Sequence, residues 1–443
     1  MPRPLCFVLM PFGHKPDSTG RIIDFDRVFR QIIAPAIEAA GLEPLRADQE
    51  AGGGIIHKAM FERLVLCQYA VADLTTANAN VYYELGVRHA VRPCSTVLVR
   101  CEGERLPFDV APDRSLAYTL GADGRPSKVA ATIGALQAAL EAVVGRSAAD
   151  SPVYQLLDCI QPPVIDHTRT DVFRDLVEYS NDVKRRLGRA RRAGVNAVRA
   201  EEHHVGDLAR AEAGVLIDLL LSYRAVESWG DMVRLAESIP EPVKRTVLVR
   251  EQLGLALNRA GRGEEAEAVL LELIAERGGG SETFGILGRV YKDRWTRALR
   301  DGHASLAAGQ LDRAISAYLH GFEADFRDSY PGVNCVTLME VRTPPDERRH
   351  ELLPVVRYAV TRKMAGGTSD YWDHATLLEL AVLGRDEAAA GRSLSAALPL
   401  IRESWEPKTT ANNLRAIREA RAARGEAVPW ADSIEEALLH AGP

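Results

Sequence analysis

What most constrains this chain is a change of texture near residue 150. Before it, short apolar runs alternate with amphipathic segments; after it, strand signals nearly vanish. Leu5-Cys-Phe-Val-Leu-Met10 is apolar throughout and stops at Pro11. Such a run suits a strand buried on both faces of a parallel sheet. Phe25 to Ala40 has helical spacing and ends at Gly41, a C-cap signal. Glu43 to Ala47, Tyr69 to Leu74, Thr96 to Val99 and Leu116 to Leu120 read as further strands. Ile55 to Cys67, Asn80 to Val91 and Pro126 to Val144 read as helices. This order predicts a parallel α/β sheet over residues 1–146, with Leu5–Met10 and Tyr69–Leu74 central and helices on both faces.

The polar stretch Gly145-Arg-Ser-Ala-Ala-Asp-Ser-Pro152 marks the expected boundary, and residues 150–443 read as all-α. Three segments there look alike: Ala260-Gly-Arg-Gly-Glu-Glu-Ala266, Ala308-Gly-Gln-Leu-Asp-Arg-Ala314 and Leu383-Gly-Arg-Asp-Glu-Ala-Ala389. Each sets a glycine after one amphipathic stretch and an acid and alanine before the next. That is similar to the inter-helix turn of tetratricopeptide (TPR) repeats, here irregularly spaced. The five tryptophans fall in this region and are expected to be packing anchors.

A net charge of −6 argues against nucleic acid or an anionic membrane as a general partner. The local basic run Lys184, Arg185, Arg186, Arg189, Arg191, Arg192 and Arg199 is expected to be a solvated or salt-bridged helix face. The six cysteines form no C-x-x-C pair and read as buried free thiols, with no metal site. No apolar stretch reaches the length of a membrane span. A cytoplasmic protein is expected.

In an open parallel sheet, ligands bind beyond the carboxyl ends of the strands. Three loops leave such ends: Met10-Pro-Phe-Gly13, Asp48-Gln-Glu-Ala-Gly-Gly-Gly54, and Asp73-Leu-Thr-Thr-Ala-Asn-Ala-Asn80. Asn80 is suited to cap the next helix, which sets Glu84 in its first turn, where the dipole favours an ionised carboxylate. A fixed carboxylate facing a pocket suits the oxocarbenium-like carbon of a breaking N-glycosidic bond. Equally, Glu84 could simply pair with Arg88 at i+4. Asp73 could orient a ribose hydroxyl, protonate a leaving base, or only cap a loop. The expected pocket is lined by Met10, Phe12, Gly13, Asp73, Asn80 and Glu84, with Gly53 and Gly54 at its rim. Asp24 and Asp26 read as helix N-caps.

Phe7-Val-Leu-Met-Pro-Phe-Gly13, Asp73-Leu-Thr and Asn80-Val-Tyr-Tyr-Glu-Leu-Gly86 together resemble the nucleoside 2-deoxyribosyltransferase-like and Toll/interleukin-1 receptor (TIR)-like domains. The resemblance spans about residues 4–120. It implies a flavodoxin-like fold, Glu84 as the catalytic glutamate and Asp73 as an active-site aspartate. Residues 150–430 resemble the TRAF-binding, TPR-type regulatory region of apoptosis signal-regulating kinases. Tyr291-Lys-Asp-Arg-Trp295, Asp328-Ser-Tyr-Pro-Gly-Val-Asn334 and Trp405-Glu-Pro-Lys-Thr-Thr410 carry that likeness. No kinase signature is present. Bacterial modules of this kind are linked with nucleotide sensing in antiphage defence signalling.

Three functions follow as expectations. The first is cleavage of nicotinamide from NAD, with NAD as substrate and no bound cofactor. Nicotinamide leaves from a cationic ring without a general acid, so one carboxylate suffices. The second is nucleoside deoxyribosyl transfer or hydrolysis, which leans on Asp73 as proton donor. The third is a non-catalytic nucleotide-binding scaffold, possible as a homo-oligomer. In each, the helical repeats engage a protein partner.

Overall fold

The computed structural model describes the backbone of all residues except 1–2, 18–19, 47–55, 105, 108–109, 111–114, 145–148, 158, 164–167, 210, 366–368, 404 and 443. The chain forms two compact units. One comprises residues 1–226 with 239–246; the other comprises residues 227–238 with 247–443.

The first unit holds the sheet. Its strands are β1 (Leu5–Leu9), β4 (Glu43–Arg46), β5 (Tyr69–Asp73), β6 (Thr96–Cys101), β7 (Ser115–Leu120) and β8 (Pro126–Ser127), ordered β4-β1-β5-β6-β7-β8. The first five run parallel, and β1 and β5 are central, as expected. β8 closes the edge antiparallel, and β2 (His14–Pro16) and β3 (Ile22–Asp24) form a small antiparallel pair. None of these three short strands has an apolar run that would reveal it in sequence.

Strand alternation explains why β1 is apolar throughout. Cys6, Val8 and Met10 join a core with Val71, Val99, Tyr118 and the helices Phe25–Ala39 and Val129–Val143. Leu5, Phe7 and Leu9 join the opposite core with Ala70, Ala72, Leu64, Val81 and Leu85. Each face needs its own apolar set, so the run cannot alternate with polar residues. The helix Phe25–Ala39 is continuous but takes a π turn over Phe29–Ile33.

Arg88 ties the second layer together and does not pair with Glu84. Its guanidinium is fully buried. It donates to the carbonyls of Leu64 (2.7 Å), Cys67 (2.6 Å) and Gln68 (2.9 Å). Arg92 adds Val65 and Leu66. Two arginines thus satisfy the last carbonyls of the helix Ile56–Leu66, which have no intrahelical partner. Arg88→Met is expected to cost about 3 kcal/mol or more, because several buried acceptors lose their donors together. Urea unfolding of the full chain measures this, and a change below about 1 kcal/mol would refute the assignment.

The polar break after residue 144 is anchored where it becomes described. Asp150 accepts from the Ser95 and Thr96 amides, and Ser151 donates to the His89 carbonyl. Beyond it the described chain is helical up to His440. In the basic run, Arg186 faces Asp182 and Glu201, Arg185 faces Asp182 and Arg191 pairs with Asp218, so these residues form a salt-bridged face.

In the second unit consecutive helices pack on one another from Val247 to Ala397, whereas the helix Trp405–Ala423 packs on Ser329–Val341, Tyr371–Leu383 and Trp430–His440. Two of the three glycine segments are turns: Ala260–Arg262 precedes the helix Gly263–Arg277, and Gly384–Asp386 precedes the helix Glu387–Ala397. The third expectation fails. Residues 308–314 lie inside the helix Ala304–Ala324, and the turn falls at Asp301–His303, where Gly302 has φ +74°. One glycine costs a helix about 1 kcal/mol, less than the buried stripe Ala307, Leu311, Ala314 and Ile315 supplies. Trp295 is buried, whereas Trp405 is half-exposed and lies against Trp372. Cys6, Cys67, Cys101 and Cys335 are buried free thiols, but Cys159 is exposed and Cys94 only partly covered. No helix among the described residues is long and apolar enough to cross a membrane.

Candidate functional site

The carboxyl ends of β1 and β4 bring Phe12 and Gly13 beside Arg46. Gly13 takes φ +62°, a conformation glycine adopts without strain. Its amide approaches Asp26 Oδ1 at 3.4 Å, and its carbonyl accepts from the Phe25 amide at 3.0 Å. Arg46 pairs with Asp26 at 2.9 Å and lies over the rings of Phe29 (4.5 Å) and Phe12 (5.3 Å). Asp24 caps the helix Phe25–Ala39, as expected, by accepting from the Arg27 amide. Asp26 instead serves Arg46. Sequence reasoning passed over Arg46; its signal is an arginine closing a strand at the ligand edge. Met10 is buried in the core against which Phe29 packs. Gly53 and Gly54 lie outside the described residues.

Asp73, the last residue of β5, is fully buried. It accepts from the Thr75 amide (3.0 Å), the Thr75 hydroxyl (2.6 Å) and the Tyr118 hydroxyl (2.9 Å). Thr75 Oγ1 in turn accepts from the Cys101 amide at 2.8 Å. Burial pushes the Asp73 carboxyl up to about 6, and the bonds from Thr75 and Tyr118 stop it rising further. Because the folded state then holds the proton more tightly than the unfolded chain, ionising Asp73 weakens the fold. The stability of the wild type relative to Asp73→Asn is expected to fall between about pH 4 and pH 6 and stay level above, by roughly 3 kcal/mol in all. Paired urea titrations across that range read the difference directly; a flat difference would show that Asp73 titrates normally.

The helix after β5 is Ala79–Val91, and its cap is Asn78, not Asn80. Asn78 is extended, and its side chain accepts from the amides of Asn80 (3.0 Å) and Val81 (3.4 Å), while Asn80 is already helical and exposed. Glu84 is therefore the sixth residue of the helix, beyond the first turn where the dipole acts most strongly. Its side chain is half-buried. Val81, Leu85 and Arg88 form the buried stripe. At ~100° per residue, Tyr82 and Glu84 flank that stripe on opposite sides. Burial raises the Tyr82 hydroxyl above its ordinary value, the charges of Asp73 and Glu104 add to this, and that hydroxyl has no hydrogen-bond partner among the described residues. Strand alternation sets Asp73 on the side of Val71 and Tyr118, whereas the helix carrying Glu84 covers the other face. The structure thus gathers Phe12 and Gly13 around Arg46, encloses Asp73 with Thr75 and Tyr118, and holds Glu84 on the opposite layer.

In the helical unit the motifs singled out in sequence are ties between helices. Tyr291 donates to Glu267 (2.8 Å), and Trp295 sits in the core. Lys292 donates to Asn334 and Asn413, each at 2.9 Å, and Asn413 donates to Glu379. Burial pushes the Lys292 ammonium down to about 8. Asp293 accepts from Asn258 and Arg289. Asp328 caps the helix Ser329–Val341 and also accepts from Ser281. Glu406 accepts from the amides of Arg402 and Glu403, and Thr410 meets the Tyr371 hydroxyl. Among the described residues no cluster of His, Cys, Asp and Glu could hold a metal ion.

Residues 81–436 match the MAP3K TRAFs-binding domain family. The chain belongs to that family. Two curated relatives of this TRAFs-binding family member are kinases. It is 28% identical over 224 residues to mitogen-activated protein kinase kinase kinase nsy-1 of Caenorhabditis elegans, covering 46% of this chain and 15% of the relative. It is 26% identical over 242 residues to mitogen-activated protein kinase kinase kinase 15 of Mus musculus, covering 50% of this chain and 18% of the relative. The chain therefore spans less than a fifth of the length of these kinases. The family match begins inside the helix Ala79–Val91, so it takes in β6 and β7 as well as the helical unit.

Proposed function

We propose that this protein is a signalling regulator in which the α/β domain is a TIR-like, NAD-cleaving unit and the TPR-like helical region docks a protein partner. The position of Glu84 carries the catalytic half of this reading. It is half-exposed on the helix that follows β5. The β4-β1-β5-β6-β7 order is that of flavodoxin-like sheets, which bind ligands at this edge. Family membership carries the partner-binding half. In this reading Glu84 stabilises the cation that develops on ribose as nicotinamide departs, and water completes the hydrolysis. Phe12 and Gly13, at the exit of β1, line the approach.

Asp73 weighs against deoxyribosyl transfer, since a proton donor to a leaving base must reach that base, and Asp73 is enclosed by Thr75 and Tyr118. The same enclosure, with Glu84 on the other layer, favours a second reading: a non-catalytic scaffold in defence signalling. Incubating the full chain with NAD and assaying free nicotinamide separates the two. Release that requires Glu84 supports the first reading, and no release with or without a protein partner supports the scaffold.

A further inference from the structure

A cavity of about 640 Å³ opens in the helical unit between two successive turns, Gly261–Arg262 and Asp301–His303. Its volume lies within the ~300–1,000 Å³ usual for small-molecule sites. Its lining is strongly polar. Arg259 and Arg297 reach it from different helices and make no ion pair among the described residues. Arg294 is committed through one nitrogen to Glu267, but its other terminal nitrogen, Nη2, is buried without a hydrogen-bond partner among the described residues. Gln310 Oε1, also in the lining, is a buried acceptor in the same condition. Gly263 leaves the Arg294 guanidinium uncovered: a Cβ there would lie 3.4 Å from Nε and 4.0 Å from Nη2.

The nearby acids are mostly spoken for. Glu265 is closed on Arg262, and Asp293 is held by Arg289 and Asn258. Asp301 faces Arg300 at 3.9 Å, and Glu264 is exposed to solvent. A buried donor or acceptor left unpaired is unfavourable, because it gives up its bonds to water without replacing them. Such atoms in a cavity wall are what a ligand satisfies. We propose that this cavity binds a small phosphorylated molecule that also carries hydroxyl donors. The phosphate engages Arg259, Arg294 and Arg297, and a hydroxyl donates to Gln310. This site is separate from the α/β domain and stands whether or not NAD is cleaved.

Ribose 5-phosphate titrated into the full chain by calorimetry tests this. Saturable binding is expected, tighter than that of inorganic phosphate, which offers fewer donors. The double variant Arg259→Ala/Arg297→Ala, altered only at exposed side chains, is expected to weaken binding at least about tenfold. Gln310→Leu is expected to erase the advantage of the sugar phosphate while leaving thermal stability equal or higher, because it deletes an unpaired buried acceptor. Unchanged affinity in the double variant would overturn the proposal, as would no saturation with millimolar ribose 5-phosphate. Tighter binding of an acidic peptide than of the sugar phosphate at the same arginines would overturn it in favour of a protein-docking surface.

Discussion

Glu84→Gln is expected to abolish nicotinamide release from NAD while leaving the fold intact. The amide preserves shape but removes the negative charge that stabilises the developing ribosyl cation. Electrostatic contributions of this kind commonly reach ~3 kcal/mol, a factor of more than a hundred in rate. The structural cost is expected to be smaller, about 1 kcal/mol or less, since Glu84 is only half-buried on an outer helix. Rate and stability thus separate widely. Wild-type turnover in Glu84→Gln would end the catalytic assignment. Asp73→Asn is expected to change turnover far less, because nicotinamide departs without a proton donor.

The largest stability effect is expected at Arg421. Its guanidinium is buried and donates to Glu340 Oε1, the Val382 carbonyl and the Leu383 carbonyl, each at 2.8 Å. Glu340 also accepts from Arg424 (2.7 Å) and Arg349 (2.8 Å). One side chain therefore closes the C-terminus of the helix Tyr371–Leu383 and neutralises a carboxylate on the helix Ser329–Val341. Arg421→Met is expected to cost about 3–5 kcal/mol, the range for removing one partner of a buried pair. Burial alone would raise the Glu340 carboxyl; the bond from Arg421 and the charges of Arg421, Arg349 and Arg424 outweigh it and hold the group below its ordinary value. A lowered acid stabilises the fold above its unfolded value of about 4.3 and loses that contribution as pH falls through the folded value. Arg421→Met is accordingly expected to become acid-sensitive at a higher pH than the wild type. Urea unfolding at pH 7 and at pH 4 measures both effects. A loss below about 1 kcal/mol at pH 7 would mean that the three-arginine cluster is redundant.

Those two residues differ in how visible they were. Glu84 stood out because it lies on the helix that follows a strand-end aspartate, in a Glu-Leu-Gly element that resembles the one in TIR-like and deoxyribosyltransferase-like domains. Arg421 carries no local signal, since its partners are 81, 39 and 38 residues away. Arg88 illustrates the same limit. Its spacing from Glu84 suggested a surface pair, but the buried carbonyls that claim it belong to another helix.

Sequence by itself determined the five parallel strands and the helices that accompany them, the two central strands and the switch to a mostly helical region, because apolar period and run length are local properties of the chain; the three short strands, which have no apolar run, escaped it. It also determined the capped start of the first helix at Asp24. Tertiary structure alone decided that Asn78 and not Asn80 caps the next helix, and that residues 308–314 continue a helix instead of turning. It alone set Asp73 and Glu84 on different faces of the sheet. Caps depend on a backbone geometry that two nearby asparagines satisfy equally well on paper. A glycine breaks a helix only where packing does not outweigh its cost. The face a side chain takes is set by strand parity and by the layer its helix covers, and neither is fixed until the sheet has closed.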